Sequence, residues 1–113
     1  MLGEAWRSWL AQAVTGAALL LLGAWHMLRV HLSGEVGGLP SYAQAVGVFK
    51  DPVTAVLAVL FTVLVAFHAA NGVEMVLVES GVGEEKAGRL ARILWAAVSL
   101  YVAALAAYAY LFL

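Results

Sequence analysis

Residues 53–78 read VTAVLAVLFTVLVAFHAANGVEMVLV, and Glu74 is the one charged residue among them. The hydrocarbon layer of a bilayer is ~30 Å thick and needs about 20 mostly apolar residues in a helix to cross it. Apolar runs of this length are rare in small soluble domains. The stretch therefore predicts a transmembrane helix, and it decides how the rest of the chain is interpreted.

Two further apolar runs flank this segment, at residues 9–30 and 89–113. The chain has 113 residues, of which 65% are hydrophobic and 12% charged, a composition too apolar for a soluble domain of this size. The first run is longer than the hydrophobic region of a signal peptide, so we expect it to remain as a span. The sequence predicts an all-α integral membrane protein with three transmembrane helices, and one membrane domain over residues 1–113.

The connections between these runs contain recognisable helix boundaries. Asp51 followed by Pro52 predicts an N-cap and a first helical residue for the second span. Residues 41–49 are compatible with a short surface helix after a loop rich in glycine. Residues 79–83 read ESGVG and predict a tight turn into a charged first turn of the third helix, so the second and third spans should be antiparallel neighbours.

The distribution of basic residues predicts the orientation. Lysine and arginine are more frequent on the cytoplasmic side of membrane proteins. One side of the predicted bundle has four such residues and the other has two: Arg7, Lys86, Arg89 and Arg92 against Arg29 and Lys50. We expect a multi-pass protein of the cytoplasmic membrane with its N-terminus in the cytoplasm.

Several functional classes find no support in the sequence. The chain has no cysteine, so it offers no disulfide and no thiolate ligand for an iron–sulfur cluster. It has no phosphate-binding loop, zinc-protease motif or nucleophile elbow. A net charge of −1 gives no indication of nucleic acid binding. Independent catalysis is not expected.

Two histidines, His26 and His68, lie within predicted spans. A polar ring in hydrocarbon costs free energy unless a partner binds it, so such residues often mark functional sites. One interpretation is that each histidine is an axial ligand of haem iron, and the other is that each forms a hydrogen bond between helices. The residues themselves leave both open.

The depths of the two histidines differ. At ~1.5 Å per residue, His26 lies about 25 Å from the cytoplasmic end of its helix and His68 about 15 Å from the cytoplasmic end of its own. Opposite axial positions of one iron cannot be spanned across this offset of ~10 Å. Each histidine therefore suggests its own haem, with the second axial ligand from another chain, because His31 lies at the outer interface.

The residues around both histidines leave room for a porphyrin ring or for a closely packed helix. The stripe on the first span includes Thr15, Gly16, Leu19, Gly23, His26 and Val30, and that on the second includes Phe61, Leu64, Val65, His68, Gly72 and Met75. Glycine lets a porphyrin or a partner helix approach the backbone. Arg29 and His31 suit contacts to haem propionates or lipid phosphates, but snorkelling of both side chains to the interface is the simpler explanation. Glu74 lies off the stripe, and three roles are open to it: snorkelling, pairing with a basic residue of a partner, or proton transfer.

These residues resemble a known family. The pattern Thr15-Gly16-x6-Gly23-x2-His26, followed by His68-x3-Gly72, resembles the dihaem membrane anchor of succinate:quinone oxidoreductases and fumarate reductases. The likeness is to the C-terminal, three-helix half of the five-helix anchors and covers nearly the whole chain. It departs from the family where Ala66 replaces an acidic residue of some members, and where no basic residue follows His68 by two turns.

The resemblance implies a function and a set of partners. His26 would bind an outer b-type haem and His68 an inner one, with Gly16, Gly23, Gly72, Arg29 and His31 also in contact with the cofactors. A second membrane anchor subunit would supply the trans histidines. An iron–sulfur subunit and a flavoprotein subunit would dock on the cytoplasmic side, and the chain would pass electrons to or from quinone as a non-catalytic subunit of an oxidoreductase.

Two other interpretations remain. The first is that the chain is the anchor of another dihaem cytochrome b complex, of the formate dehydrogenase or hydrogenase type, although those anchors usually have four helices and more histidines. Alternatively it is a haem-free helical scaffold or small transporter subunit, in which both histidines bond to neighbouring helices.

Overall fold

The computed structural model describes residues 5–32 and 38–113, without the side chains of residues 5–8 and 30. Its elements are α1 (Ala5–His26), a π-helical turn (Met27–His31), α2 (Tyr42–Lys50), α3 (Pro52–Glu79) and α4 (Glu84–Phe112). The chain is all-α, as predicted.

Three of these helices are long and apolar enough to cross a membrane. The candidate spans are Trp9–Arg29, Pro52–Glu79 and Glu84–Phe112. The longest dimension of the molecule is 49 Å, which exceeds the ~30 Å hydrocarbon layer and leaves both ends at headgroup depth. The three predicted spans are confirmed. Large apolar side chains face outward along them, and Leu20 and Leu21 are each 77% exposed, as lipid-facing residues should be.

α3 begins at the residue that the sequence predicted. Asp51 is extended and its Oδ2 accepts hydrogen bonds from the Thr54 backbone N–H, at 3.0 Å, and from the Thr54 hydroxyl. Pro52 occupies the first turn, where its missing N–H costs nothing. The hydroxyl and backbone bonds from Thr54 hold the pKa of Asp51 below its ordinary value. The cap is therefore strongest when Asp51 is ionised.

α2 is the predicted surface helix, observed at Tyr42–Lys50 rather than 41–49. Ser41 is its N-cap and forms a capping box with Gln44, in which each side chain bonds the other residue's backbone N–H. At the other end of α2, the Lys50 ammonium donates to the Tyr110 carbonyl at 2.8 Å. This bond satisfies a carbonyl in the last turn of α4 and ties α2 to it.

The connection from α3 to α4 is short, and the two helices are antiparallel neighbours, as expected. Ser80 caps α3, and Gly81 adopts a φ of 97°, a conformation that favours glycine. α4 begins at Glu84, so its first turn is the charged one that the sequence predicted before the membrane span from Arg89. Glu84 and Glu85 are favourable there because exposed backbone N–H groups carry partial positive charge.

α3 lies between α1 and α4 and packs against both. Small residues allow α3 and α4 to approach closely; the buried ones are Ala58, Ala66 and Ala70 on α3 and Ala87, Gly88 and Ala91 on α4. Farther along, the Trp95 indole N–H donates to the Val63 carbonyl at 3.3 Å, and its ring meets Phe67 edge-on at 5.6 Å. Packing of small side chains is the usual basis of helix association in lipid.

We call the two ends of the bundle the turn end, which holds residues 80–83 and the start of α1, and the α2 end. At the α2 end, α1 changes into a π-helical turn over Met27–His31, in which the Leu32 N–H bonds the Met27 carbonyl five residues back at 2.9 Å. The sequence predicted a regular helix to Val30. Most of the following loop, residues 33–37, lies outside the described residues.

Candidate functional site

The interface between α1 and α3 contains both histidines. Three layers of contacts follow one another from the turn end to the α2 end: Gln12 with Asn71, then Thr15 and Gly16 with His68, then Gly23 and His26 with Phe61. The predicted stripes on the two helices therefore face each other. On α1, Gly16 and His26 are about ten residues apart, or ~15 Å along the helix axis, so the histidines occupy separate levels.

His68 is held across the interface by Thr15. Its Nδ1 lies 2.9 Å from the Thr15 hydroxyl oxygen, and that hydroxyl lies 2.6 Å from the Ala11 carbonyl. A hydroxyl has a single proton, and a carbonyl can only accept one, so Thr15 donates to Ala11 and accepts from the Nδ1–H of His68. The neutral ring then has its lone pair on Nε2. No hydrogen bond to Nε2 is formed by the residues the structure describes.

His26 has a different environment. Its ring stacks on Phe61 with a centroid distance of 4.7 Å and an interplanar angle of 25°. Its Nε2 lies 3.2 Å from the Nε2 of His31, and its buried Nδ1 has no hydrogen-bond partner within residues 5–32 and 38–113. No residue in that part of the chain orients the His26 ring through Nδ1 as Thr15 orients His68.

Two of the predicted glycines receive side chains of α3. A Cβ built on Gly16 would lie 3.3 Å from Cε1 of His68, and one built on Gly23 would lie 3.6 Å from the Phe61 ring. The close approach predicted at these glycines is therefore present, and it is made by α3 of the same chain.

A polar pair lies one turn from His68, toward the turn end. Asn71 is fully buried, and its amide donates to Oε1 of Gln12 at 2.9 Å. The third predicted glycine, Gly72, faces this pair, since a Cβ there would lie 3.0 Å from Nε2 of Gln12. Asn71 thus forms a hydrogen bond between α3 and α1. Sequence reasoning did not name Gln12, although its position three residues before Thr15 places it on the same face of α1.

Glu74 faces α4 and not the histidine interface. Its carboxylate packs over Gly88, where an added Cβ would lie 3.3 Å from Oε1 of Glu74 and 3.6 Å from Nη1 of Arg92. The carboxylate and the guanidinium thus approach the same point on α4. Gly88 leaves room for both, a role that its place in the sequence does not reveal.

The structure places Arg29 and His31 at the α2 end. Both are exposed, and Arg29 acts electrostatically on Asp51 at the start of α3. His31 was expected to lie apart from His26 at the interface with water. The π-helical turn brings the two rings together, with centroids 5.0 Å apart, because residues five apart share one side of such a turn.

The described residues contain no group of three or more histidine, cysteine or acidic side chains able to hold a metal ion. A haem needs only one axial imidazole from each of two chains, so the relevant test is the state of each histidine nitrogen. His68 fits, because Thr15 fixes its tautomer and Nε2 can bind iron. His26 in this conformation directs Nε2 at His31, and it would have to leave that contact to bind iron.

Comparison with known proteins places the chain in a family. Residues 2–107 match the family model described as the succinate dehydrogenase/fumarate reductase transmembrane subunit. The succinate dehydrogenase hydrophobic membrane anchor subunit of Archaeoglobus fulgidus is 31% identical over 81 residues, which cover 72% of this chain and 68% of that protein. No solved structure matches. This three-helix chain, with a histidine on each of two facing helices, belongs to the family of succinate dehydrogenase/fumarate reductase transmembrane subunits.

Proposed function

We propose that this chain, as a membrane anchor of a succinate dehydrogenase or fumarate reductase, binds b-type haem through His68 and His26 and conducts electrons between an iron–sulfur subunit and quinone. The observation that carries the proposal is the bond between the Nδ1–H of His68 and the Thr15 hydroxyl, 2.9 Å long. Ligand histidines usually donate their second nitrogen to a neighbouring acceptor, which fixes the ring and raises the basicity of the ligating nitrogen.

A bound haem supplies reversible one-electron chemistry, and the work of this chain is to hold and insulate it. Thr15 places the proton of the neutral His68 ring on Nδ1, which leaves the lone pair on Nε2. Gly16 lets the imidazole lie against the α1 backbone, where it is partly shielded from water. Ala66 and Ala70 are buried on a different face of α3 from His68. Their packing limits rotation of α3 about its axis against α4, and so limits the directions that His68 can take. These features fix the position of the His68 imidazole before haem binds.

His26 is proposed as the ligand of a second haem at the α2 end. Its ring is already fixed by Phe61, and the exposed His31 must swing away to free Nε2. Arg29, on the adjacent turn, suits a propionate. The two histidines sit at separate levels, so they serve two haems rather than one.

Each haem then takes its other axial ligand from outside the chain. We propose that a second membrane anchor subunit supplies these ligands, and that a symmetric pair of copies of this chain is the less favoured source. The iron–sulfur and flavoprotein subunits would bind on the cytoplasmic side of the cytoplasmic membrane. Succinate chemistry would occur on them and not on this chain.

The test is a reduced-minus-oxidised visible spectrum of the purified complex, made with wild type, His68→Ala, His26→Ala and, as a control, His31→Ala. We expect each of the first two variants to lose a different b-type haem signal, while His31→Ala keeps both. Loss of one shared signal in both variants would contradict the two-haem arrangement.

One observation favours a second candidate function, a haem-free scaffold. The Thr15–His68 contact is itself a hydrogen bond between helices, which satisfies a polar ring in the membrane without a cofactor. The same spectrum decides between the two functions. A correctly assembled wild-type complex with no absorption from haem would establish the scaffold and overturn the proposal.

A further inference from the structure

The α2 end contains a pair of imidazole nitrogens that face each other. Nε2 of His26 and Nε2 of His31 are 3.2 Å apart, and the two rings are inclined at 67°. Two imidazole ligands of one tetrahedral metal ion, with bonds of 2.0–2.1 Å, have their nitrogens ~3.3 Å apart. The observed separation is therefore close to that of two ligands of a single ion.

The backbone builds this pair locally. In an α-helix, residues five apart point in different directions, whereas the π-helical turn over Met27–His31 aligns residue 26 with residue 31. The His26 ring is further held by stacking on Phe61. His31 is exposed, so an ion can enter from the aqueous side and retain water at its remaining positions. Two ligands are thus brought together without any partner chain.

We propose that His26 and His31 chelate a divalent first-row transition metal ion at the α2 end of the haem-free subunit. Neutral imidazole is a preferred ligand of copper, zinc and nickel, and Cu²⁺ binds nitrogen ligands most tightly in this series. The nearby positive charge of Arg29 opposes a cation, but Asp51 lies close enough to interact with Arg29 and offset it. The site is independent of the proposed haem at His68.

The two proposals compete at one atom. Nε2 of His26 can bind haem iron or the chelated ion, not both. A metal ion at this site therefore blocks haem at His26 until it is removed, and leaves His68 available.

The experiment uses the full chain, purified without haem in detergent, and Cu²⁺ as the probe. Calorimetry measures affinity, and electron paramagnetic resonance counts the nitrogen ligands through their hyperfine splitting. We expect two imidazole nitrogens in wild type, and an affinity loss on the order of 10²-fold in either His26→Ala or His31→Ala, because a chelate loses its intramolecular second contact. His68→Ala is the matched control and should bind as wild type does.

Circular dichroism of each variant confirms that it is folded. His31 is exposed and at the end of a span, so its replacement leaves the helix packing intact and isolates the ligand role. Wild-type affinity in folded His31→Ala, or an equal loss in His68→Ala, would overturn the site. A spectrum with a single nitrogen ligand in wild type would overturn it as well. These measurements contain no haem, so their failure does not affect the haem proposal.

Discussion

At the scale of single residues, Thr15 is the side chain that orients the His68 ring through a hydrogen bond to Nδ1. Replacement with valine keeps the shape of the side chain but removes the oxygen that accepts from Nδ1. We expect Thr15→Val to lower the affinity for haem at His68 by roughly 10- to 100-fold, as loss of a partner of a ligand histidine commonly does. Haem titration of the purified complex measures this, with Thr15→Ser as the control that retains the oxygen. Equal affinity in Thr15→Val and wild type would contradict the orienting role.

Gly72 limits how closely α1 and α3 approach. An added Cβ would lie 3.0 Å from Nε2 of Gln12, and Gln12 cannot withdraw without breaking its bond to the buried Asn71. We therefore expect Gly72→Ala to destabilise the fold by about 1–3 kcal/mol, as overpacking usually does. Unfolding in mixed micelles measures the change.

The control for this substitution is Gly47→Ala in α2, where an added Cβ meets nothing within 4 Å. Alanine has a higher helix propensity than glycine, so this variant should gain up to about 1 kcal/mol. Opposite signs at the two positions attribute the loss at Gly72 to the contact with Gln12. A loss of the same size at Gly47 would indicate that alanine is unfavourable for another reason.

Some of the site could be predicted from residue types and spacing, and some could not. The histidines and glycines fall on stripes with helical periodicity, which is why the α1–α3 interface was foreseeable. The contact between His26 and His31 was not, because five-residue spacing separates two side chains in an α-helix and no residue in Met27–His31 announces a π-helical turn. Gln12 went unnamed, and Phe61 was placed on its stripe without its partner His26, because both contacts join two different helices.

At the scale of elements, the start of α3 depends on the charge of Asp51. The bonds from Thr54 lower its pKa, so protonation is harder in the folded chain than in the unfolded one, where the value is near 3.8. The charge therefore stabilises the fold above that value, and its contribution disappears as pH falls through the lower, folded pKa. Asp51→Asn keeps a capping oxygen without the charge.

Thermal unfolding of wild type and Asp51→Asn at a series of pH values measures this effect. We expect wild type to melt at a higher temperature at about pH 6, and the difference to shrink as pH falls through the lowered pKa of Asp51 in the folded chain. Other carboxylates titrate alike in the two proteins and cancel. A difference that stays constant with pH would show that the charge of Asp51 contributes nothing.

Local sequence chemistry predicted some helix boundaries more closely than others. Asp51 and Pro52 act within four residues, so the start of α3 was predicted to the residue, and α2 was predicted within one residue at each end, although its Ser41 cap was not. The charged residues from Glu84 were predicted as the first turn of the third helix, whereas its membrane span, which is set by hydropathy, was drawn from Arg89. The helix itself extends through the charged residues Glu84 and Glu85 into the headgroup region.

At the scale of the whole molecule, the central place of α3 gives its two faces different roles. One face of α3 packs on α4 through alanines and fixes the scaffold, whereas the other meets α1 and carries the histidine layers. The order of helices in space could not be read from hydropathy, since all three spans are apolar on every side. The position of small and polar residues, such as Gln12 and Gly88, decides this order.

The orientation in the membrane is a property of the entire chain, and it stays a prediction from the basic residues. Lys86, Arg89 and Arg92 are at the turn end of the structure, whereas Arg29 and Lys50 are at the α2 end. We therefore expect the turn end to face the cytoplasm. Because the chain has no cysteine, a single engineered one can be labelled without background.

Two exposed positions serve this purpose, Ala43 in α2 and Glu84 at the start of α4. A membrane-impermeant maleimide applied to intact cells should label Ala43→Cys and leave Glu84→Cys unlabelled until the membrane is opened. Neither substitution changes a lysine or arginine, so neither alters the residues that the prediction rests on. The reverse pattern would place the α2 end in the cytoplasm. In that case the proposed iron–sulfur subunit would have to dock beside His26 and His31, and His68 would be the more distant of the two proposed haem ligands.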